Sequence, residues 1–88
     1  MRQIVKDLLA CDELRWQFTE IIGVDDKKQP EDYTDEEIIA EAKYVKAKYT
    51  DGSQNWTHYE MLHGEDPEDR EKAKRELKEI EKFLKKYA

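Results

Sequence analysis

The sequence predicts an all-α protein, a small helical bundle of three long helices plus one short helix. Three observations indicate this class. Apolar residues recur at helical spacing in three long segments, charged residues make up 43% of the chain, and glycine and proline together number only five. A very polar surface around a thin core is typical of small helical domains, in which each helix buries one stripe. The 88 residues provide for a single helical domain, residues 1–88, with one core.

The first long helix is expected over residues 2–22, with Gly23 ending it at the C′ position. Trp16 lies off the centre of its apolar stripe. This tryptophan either packs under the following loop or is exposed as a binding anchor, since tryptophan is favoured at interface hot spots. The stripe consists of Ile4, Leu8, Cys11, Leu14, Phe18 and Ile21, flanked by Val5, Leu9 and Ile22.

An acidic loop, residues 24–32, leads into the second long helix, which extends to about Thr50. Thr34 can cap this helix, and Glu37 three residues later can complete a capping box. Tyr33 and Ile38 are placed to form a hydrophobic staple around the same helix start. The apolar stripe of the helix consists of Ile38, Ala42, Val45 and Tyr49, widened by Ile39.

A short aromatic helix is expected from about Gln54 to His63, after a turn at residues 51–53 in which Ser53 can act as the cap. The last long helix opens with Asp66 as its cap and Pro67 at the first helical position. Its apolar positions step by four, three, four and three, which is a heptad seam. The seam forms either part of the core of one chain or the interface of a homo-oligomer. It consists of Ala73, Leu77, Ile80, Leu84 and Tyr87, widened by Phe83.

Negative charge is concentrated in one segment of the chain. The net charge is −6, and residues 25–41 alone carry eight acidic and two basic side chains. Because this segment repels a nucleic acid backbone, direct nucleic acid binding is not expected. Clustered carboxylates can instead steer a protein partner, or imitate a phosphate backbone in a basic groove. The expected partner-binding residues are Asp32, Asp35, Glu36, Glu37 and Glu41, with Trp16 or Trp56 as the anchor.

The motifs of common enzyme classes are not found in the sequence. His58 and His63 are five residues apart, so they lack the i, i+4 spacing of the zinc-protease motif. Cys11 lies on an apolar helix face without a neighbouring histidine to activate it. We therefore expect a non-enzymatic protein with no catalytic residue, no metal ligand set and no cofactor.

Hydropathy and cysteine content suggest where the protein acts. The apolar runs are short, so no membrane span is expected. The segment after Arg2 lacks the apolar stretch of a secretion signal, and the single cysteine cannot form an internal disulfide. The expected location is the cytoplasm.

Two other functions remain open at this point. One is a homo-oligomeric binder or sponge for a small ligand such as a nucleotide, with a pocket between copies of the chain. The other is a structural component of a larger assembly that binds no ligand. For the pocket, Trp56, His58 and Tyr59 would stack on a base, and Lys43, Lys46 or Arg70 would meet its phosphates.

Two segments and a charged last helix carry a resemblance over residues 33–88. The segments are Tyr33-Thr-Asp-Glu-Glu-Ile-Ile-Ala-Glu-Ala-Lys-Tyr-Val45 and Tyr59-Glu-Met-Leu-His-Gly-Glu-Asp-Pro67. In these the chain resembles small uncharacterised acidic proteins encoded by phages and mobile elements of Gram-positive bacteria. The resemblance implies no activity, but it implies a setting in which small acidic proteins act by binding. Examples are inhibitors of host defence nucleases and oligomeric sponges for a signalling nucleotide. The expected function is therefore binding to a protein partner, such as a host defence or nucleic-acid-handling factor.

Overall fold

The computed structural model describes the backbone of residues 1–54 and 56–88, and it confirms the prediction of an all-α fold. The described residues form helices and turns, with no strand among them. Helices α4 and α6 pack against each other, and α1, α2 and α5 pack around this pair. The α-helices are α1 (Gln3–Ala10), α2 (Asp12–Trp16), α3 (Ile22–Asp26), α4 (Asp35–Thr50), α5 (Thr57–His63) and α6 (Pro67–Tyr87).

The expected single helix over residues 2–22 is interrupted, so the predicted count of three long helices and one short helix is not matched. Cys11 has an extended backbone, φ −97° and ψ 109°, which separates α1 from α2. A π-helical turn, Gln17–Ile21, then joins α2 to α3. Both α1 and α2 pack against α6, so the interruption keeps the two halves of the apolar stripe on one core. The buried stripe residues are Ile4, Val5, Leu8, Cys11, Leu14 and Phe18.

Gly23 does not end the helix, so that prediction is wrong. It is buried within α3, and the chain leaves the helix at Lys27, which is left-handed with φ 54°. A Cβ atom at position 23 would lie 2.2 Å from the carbonyl oxygen of Phe18. The glycine therefore allows the backbone to approach itself closely at the π-helical turn.

The start of α4 is formed as predicted. The hydroxyl of Thr34 accepts a hydrogen bond of 3.1 Å from the N–H of Glu37, and the N–H of Thr34 donates one of 2.9 Å to the Glu37 carboxylate. Tyr33 and Ile38, expected as the staple, are both buried in the core. Arg2 adds a contact from α1, because its guanidinium donates to the carbonyl oxygen of Tyr33 at 2.5 Å.

Helix α5 is shorter than the predicted range. It begins at Thr57 with Trp56 as its N-cap residue, so the predicted capping role of Ser53 is wrong. Ser53 instead donates hydrogen bonds from its N–H and hydroxyl to the carboxylate of Asp51. This pattern closes an Asx-type turn before the helix can begin. Asn55, within the predicted helix, lies outside the described residues.

Helix α6 begins as predicted. The carboxylate of Asp66 accepts a hydrogen bond of 2.9 Å from the N–H of Glu68, and Pro67 is the first helical residue. The seam is largely buried within a single chain, so the core alternative describes this structure. Its buried members are Ala73, Ile80, Phe83 and Leu84.

Asp7 connects α1 to the end of α6. Its carboxylate accepts a hydrogen bond of 2.8 Å from the amine of Lys86, and another from the hydroxyl of Tyr87. These hydrogen bonds, that of Lys86 most of all, lower the pKa of Asp7 to about 2 because they stabilise the ionised form. The second turn of α1 and the last turn of α6 are therefore held side by side.

Candidate partner-binding face

A buried lysine lies at the junction of α4 and the π-helical turn. Lys48 is 7% exposed, and its Nζ donates a hydrogen bond of 3.0 Å to Oε1 of Gln17. Gln17 is 2% exposed, and its Nε2 donates a hydrogen bond of 2.8 Å to Oε1 of Glu41. Burial lowers the pKa of Lys48 because the charged amine loses solvation, whereas the negative charges of Glu41 and Glu13 oppose that shift. The amide of Gln17 thus links a buried cation to a carboxylate.

Two aromatic rings cover the amine of Lys48. Its Nζ lies 5.3 Å from the ring centroids of both Tyr44 and Trp56, within the range of a cation–π interaction. The two rings meet edge to face, with centroids 5.9 Å apart. Because Trp56 is the N-cap residue of α5, these contacts hold the start of α5 against α4. Tyr44 is 46% exposed and Trp56 is half-buried, so part of each ring remains at the surface.

Trp16 borders the same junction. It directly precedes Gln17, and Glu13, one turn earlier, lies 3.5 Å from Nε2 of His58 on α5. The residues on either side of Trp16 therefore face α4 and α5, whereas the indole itself is 48% exposed. Of the two positions left open by the sequence, the structure shows the exposed one. Tyr44 and Trp56 contact each other, and Trp16 is a third exposed ring on the neighbouring helix; we use the name aromatic face for the exposed surfaces of these three residues.

Four of the five carboxylates expected to bind a partner make hydrogen bonds within the chain. Glu36 is exposed in the first turn of α4. The others stabilise helix starts or join elements, so their geometry is explained by folding alone. Asp35 accepts from the guanidinium of Arg2, Asp32 from the N–H of Gln29, Glu37 from the N–H of Thr34 and Glu41 from Gln17.

The six residues expected for a nucleotide pocket lie in several different environments. Trp56 contacts Tyr44 and Lys48, a lysine that the sequence analysis did not single out. Lys43 is exposed on α4. The ring of His58 packs on Tyr49, and the ring of Tyr59 packs on His63. The amine of Lys46 lies 3.9 Å from the carboxylate of Glu81 on α6. The guanidinium of Arg70 donates to the carbonyl oxygens of Gly64 and Glu65.

A second polar cluster joins α2, α4, α5 and α6. The buried hydroxyl of Tyr49 donates a hydrogen bond of 3.0 Å to Oε1 of Glu76. His58 packs against the ring of Tyr49 with centroids 5.0 Å apart, and its Nδ1 is buried without a hydrogen-bond partner among the described residues. Burial raises the pKa of Glu76, and the negative charge of Glu13 adds to this, whereas the hydrogen bond from Tyr49 opposes it.

A shallow groove of about 380 Å³ lies beside the helix interruption at Cys11. Burial raises the pKa of the Cys11 thiol, which disfavours the nucleophilic thiolate. The rim carries both signs of charge and therefore selects no single class of ligand. The groove is lined by Asp7, Ala10, Cys11, Glu79, Lys82, Phe83 and Lys86.

The described residues show neither a metal-binding cluster nor a membrane-spanning helix. Across residues 1–54 and 56–88, no three His, Cys, Asp or Glu side chains are grouped so as to hold a metal ion. In the same part of the chain, no helix is both long and apolar enough to cross a membrane.

Comparison with known proteins gives no match: no protein-family model, no curated protein and no solved structure is similar to this chain. The case for a function therefore depends on the geometry of the aromatic face.

Three residues around this face were missed at the level of sequence, namely Gln17, Tyr44 and Lys48. A signal for Lys48 is present, because it lies between the stripe residues Val45 and Tyr49 and one turn after Tyr44. A long cationic side chain beside an apolar stripe can bury its stem and reach a polar partner. The partner, Gln17, comes from another helix and is not indicated by any local pattern.

Proposed function

We propose that this protein is a non-enzymatic binding protein that contacts a protein partner through the aromatic face. The exposure of Trp16 carries the proposal. Trp16 is 48% exposed, whereas Phe18, two residues further along the chain, is completely buried. Exposing a tryptophan forgoes the stabilisation that its burial would provide. Tryptophan and tyrosine are also the residues most enriched at the centres of protein interfaces.

The rigidity of the surroundings supports this role. Tyr44 and Trp56 pack on each other and on the buried amine of Lys48, so their positions are fixed before a partner arrives. Preorganised aromatic side chains lose little conformational entropy on binding. The π-helical turn that begins directly after Trp16 is a further indication, because such turns occur frequently at functional sites.

The acidic segment has a supporting role in this proposal. Most of its expected partner-binding carboxylates already make hydrogen bonds within the chain, so we assign the anchor to the aromatic face. Residues 25–41 still carry a net charge of −6, which attracts a positively charged partner over a longer range. The resemblance to phage and mobile-element proteins suggests a host defence or nucleic-acid-handling factor as that partner, encountered in the cytoplasm.

The test is affinity purification with the full chain and two variants. The Trp16→Ala, Tyr44→Ala double variant removes two of the three rings of the aromatic face. Val24→Ala is the matched control, because Val24 is an apolar side chain that is 60% exposed and lies outside that face. Bacterial lysate is passed over each immobilised protein, and the retained proteins are quantified by mass spectrometry.

We expect a specific protein to be retained by the wild type and by Val24→Ala, and lost with the double variant. Circular dichroism must show that all three proteins are folded. Equal retention by all three would contradict the proposal. Thermal stabilisation of the protein by a nucleotide, with no protein retained, would favour the small-ligand alternative.

A further inference from the structure

We propose that the partner presents a basic segment to the aromatic face, with a lysine or arginine side chain lying against Trp16 and paired with Glu20 or Glu41. This inference rests on the proposed function and specifies the chemistry of the partner. It is carried by the charges around the exposed rings.

Acidic side chains surround Trp16 on its own helix. Asp12, Glu13 and Glu20 lie four residues before, three before and four after Trp16. In an α-helix, residues three or four apart lie on the same side, which places Asp12 and Glu13 beside Trp16, and Glu20 lies in the π-helical turn that follows. Asp12 and Glu20 are exposed, and of these Asp12 is already paired with Arg15.

A fourth carboxylate comes from α4. Glu41 lies one turn before Tyr44, and its hydrogen bond from Gln17 places it at the junction with the helix of Trp16. A carboxylate has several acceptor sites, so this bond leaves Glu41 able to accept from a second donor. Glu41 at the junction and Glu20, exposed four residues after Trp16, are thus both available as acceptors.

Two positive charges close to Trp16 and Gln17 are engaged within the chain. The guanidinium of Arg15 lies 3.2 Å from the carboxylate of Asp12, and Lys48 is buried against Gln17. Even with Lys43, which is exposed on α4 beside Tyr44, the four carboxylates outnumber the three cations, so this surface is net negative. It therefore favours a basic partner and repels acidic proteins and nucleic acid.

The rings are suited to the same partner. A lysine or arginine over the face of an indole is attracted by the electrons of the ring. The chain already uses this chemistry at the junction, where the amine of Lys48 lies 5.3 Å from the centroids of Tyr44 and Trp56. Trp16 offers a comparable ring at the surface, with carboxylates one helical turn away in both directions.

The test uses a displayed library of random peptides selected on the immobilised full chain. Peptides that bind are then measured at low and high salt against four proteins. The first two are the wild type and Trp16→Ala. The third carries both Glu20→Gln and Glu41→Gln. The fourth is a charge-matched control that carries both Glu65→Gln and Glu68→Gln. Glutamine at position 41 keeps the oxygen that accepts from Gln17. The control residues are exposed. They follow the C-terminal end of α5, whereas Trp56 precedes its N-terminal end.

We expect selected peptides to be rich in lysine and arginine and to lose binding to Trp16→Ala. The Glu20→Gln, Glu41→Gln variant should weaken binding roughly threefold to tenfold at low salt and reduce its salt dependence, while the control changes little. Glu20→Gln alone, which touches no internal hydrogen bond in the described structure, should show part of the effect.

The two proposals fail differently. Peptides that depend on Trp16 but lack basic residues, or that bind the Glu20→Gln, Glu41→Gln variant unchanged, would overturn the basic partner and leave the aromatic face as an interface. If no selected peptide depends on Trp16, both proposals are wrong. Concentration-dependent association of the protein with itself through Trp16, seen by sedimentation, would identify a second copy as the occupant and overturn the basic peptide.

Discussion

The buried amine of Lys48 donates a hydrogen bond of 3.0 Å to the amide oxygen of Gln17, and this bond joins α4 to the π-helical turn that follows Trp16. The two residues are 31 positions apart in the sequence. Trp16 directly precedes Gln17, and Tyr44 lies one turn before Lys48. The bond therefore helps to fix the position of Trp16 relative to Tyr44. Several measurable consequences follow from this and the neighbouring contacts.

Loss of either partner of this bond should destabilise the fold. We expect Gln17→Leu to cost about 1.5–3 kcal/mol, because it leaves a buried charged amine without its acceptor. Lys48→Met should also destabilise, because the amide oxygen of Gln17 is then unpaired. The double variant should cost less than the sum of the two, with a coupling of about 0.5–3 kcal/mol. Urea unfolding of the four proteins measures this, and strict additivity would show that the bond contributes nothing.

Replacement of Glu76 should change how stability depends on pH. Its pKa is raised by burial, so the folded state binds the proton more tightly than the unfolded chain does. That contribution to stability is present below the usual glutamate pKa and is lost as the pH rises through the raised folded value. Glu76→Gln removes the ionisation but keeps an oxygen for the hydroxyl of Tyr49. We expect the variant to be more stable than the wild type at pH 7, with a smaller difference at pH 4.

Thermal unfolding is sensitive enough for this comparison. For a domain of this size, 1 kcal/mol corresponds to about 4–8 °C in Tm, so a gain of half that amount is measurable. A Tm of Glu76→Gln below that of the wild type at pH 7 would mean that the carboxylate is stabilising.

Asp7 should have the opposite effect. Its pKa is lowered to about 2 by the hydrogen bonds from Lys86 and Tyr87. A lowered carboxylate pKa contributes stability above the usual aspartate value, and this is lost as the pH falls through the folded value. The free energy of unfolding of the wild type should therefore decrease between about pH 4 and pH 2. Asp7→Asn should show a smaller decrease in that range, and an equal decrease in both proteins would assign the acid sensitivity to other groups.

Gly23→Ala tests the close backbone approach at the π-helical turn. Alanine is the better helix former, so helix propensity alone predicts a gain of about 1 kcal/mol. The new Cβ would instead lie 2.2 Å from the carbonyl oxygen of Phe18. We expect a loss of about 1–3 kcal/mol, the usual cost of overpacking. Val24→Ala, at the exposed neighbouring position, is the control. A more stable Gly23→Ala protein would show that the turn adjusts freely.

Two aromatic residues in the same stretch should differ sharply in their effect on stability. Phe18→Ala removes a completely buried ring and should cost about 3–5 kcal/mol. Trp16→Ala removes a half-exposed ring and should cost less than about 1 kcal/mol. Chemical denaturation of both variants provides the measurement. A cost for Trp16→Ala close to that for Phe18→Ala would mean that the indole serves mainly the fold, which would weaken the proposed function.

Local patterns in the sequence were sufficient for the elements whose signals are local. The capping box of Thr34 and Glu37, and the Asp66–Pro67 start of α6, depend on residues within one helical turn, and both were predicted correctly. The apolar stripes were also mostly correct, because burial follows directly from helical periodicity.

The failures have a different physical origin. The apolar pattern runs through the interruption at Cys11 unbroken, and both halves of the stripe pack on α6, so periodicity does not reveal the break. Gly23 was predicted to end the helix. The sequence does not reveal its actual role, which is to leave room for the carbonyl oxygen of Phe18 where a Cβ atom would otherwise lie. The pairing of Lys48 with Gln17 depends on how two helices are placed in space, which no local pattern specifies.

The contacts of Asp7 have a consequence for the order of the chain itself. Lys86 and Tyr87 hold the end of α6 beside Asp7. Asp7 is six residues from Met1, and at the helical rise per residue this corresponds to roughly 10 Å along the chain. A short glycine–serine linker spans that distance. The polypeptide can therefore be joined into a ring and reopened at the exposed turn around Asp51. We expect such a circular permutant to keep the same helices in the same arrangement, since the packing of this fold does not depend on where the chain begins.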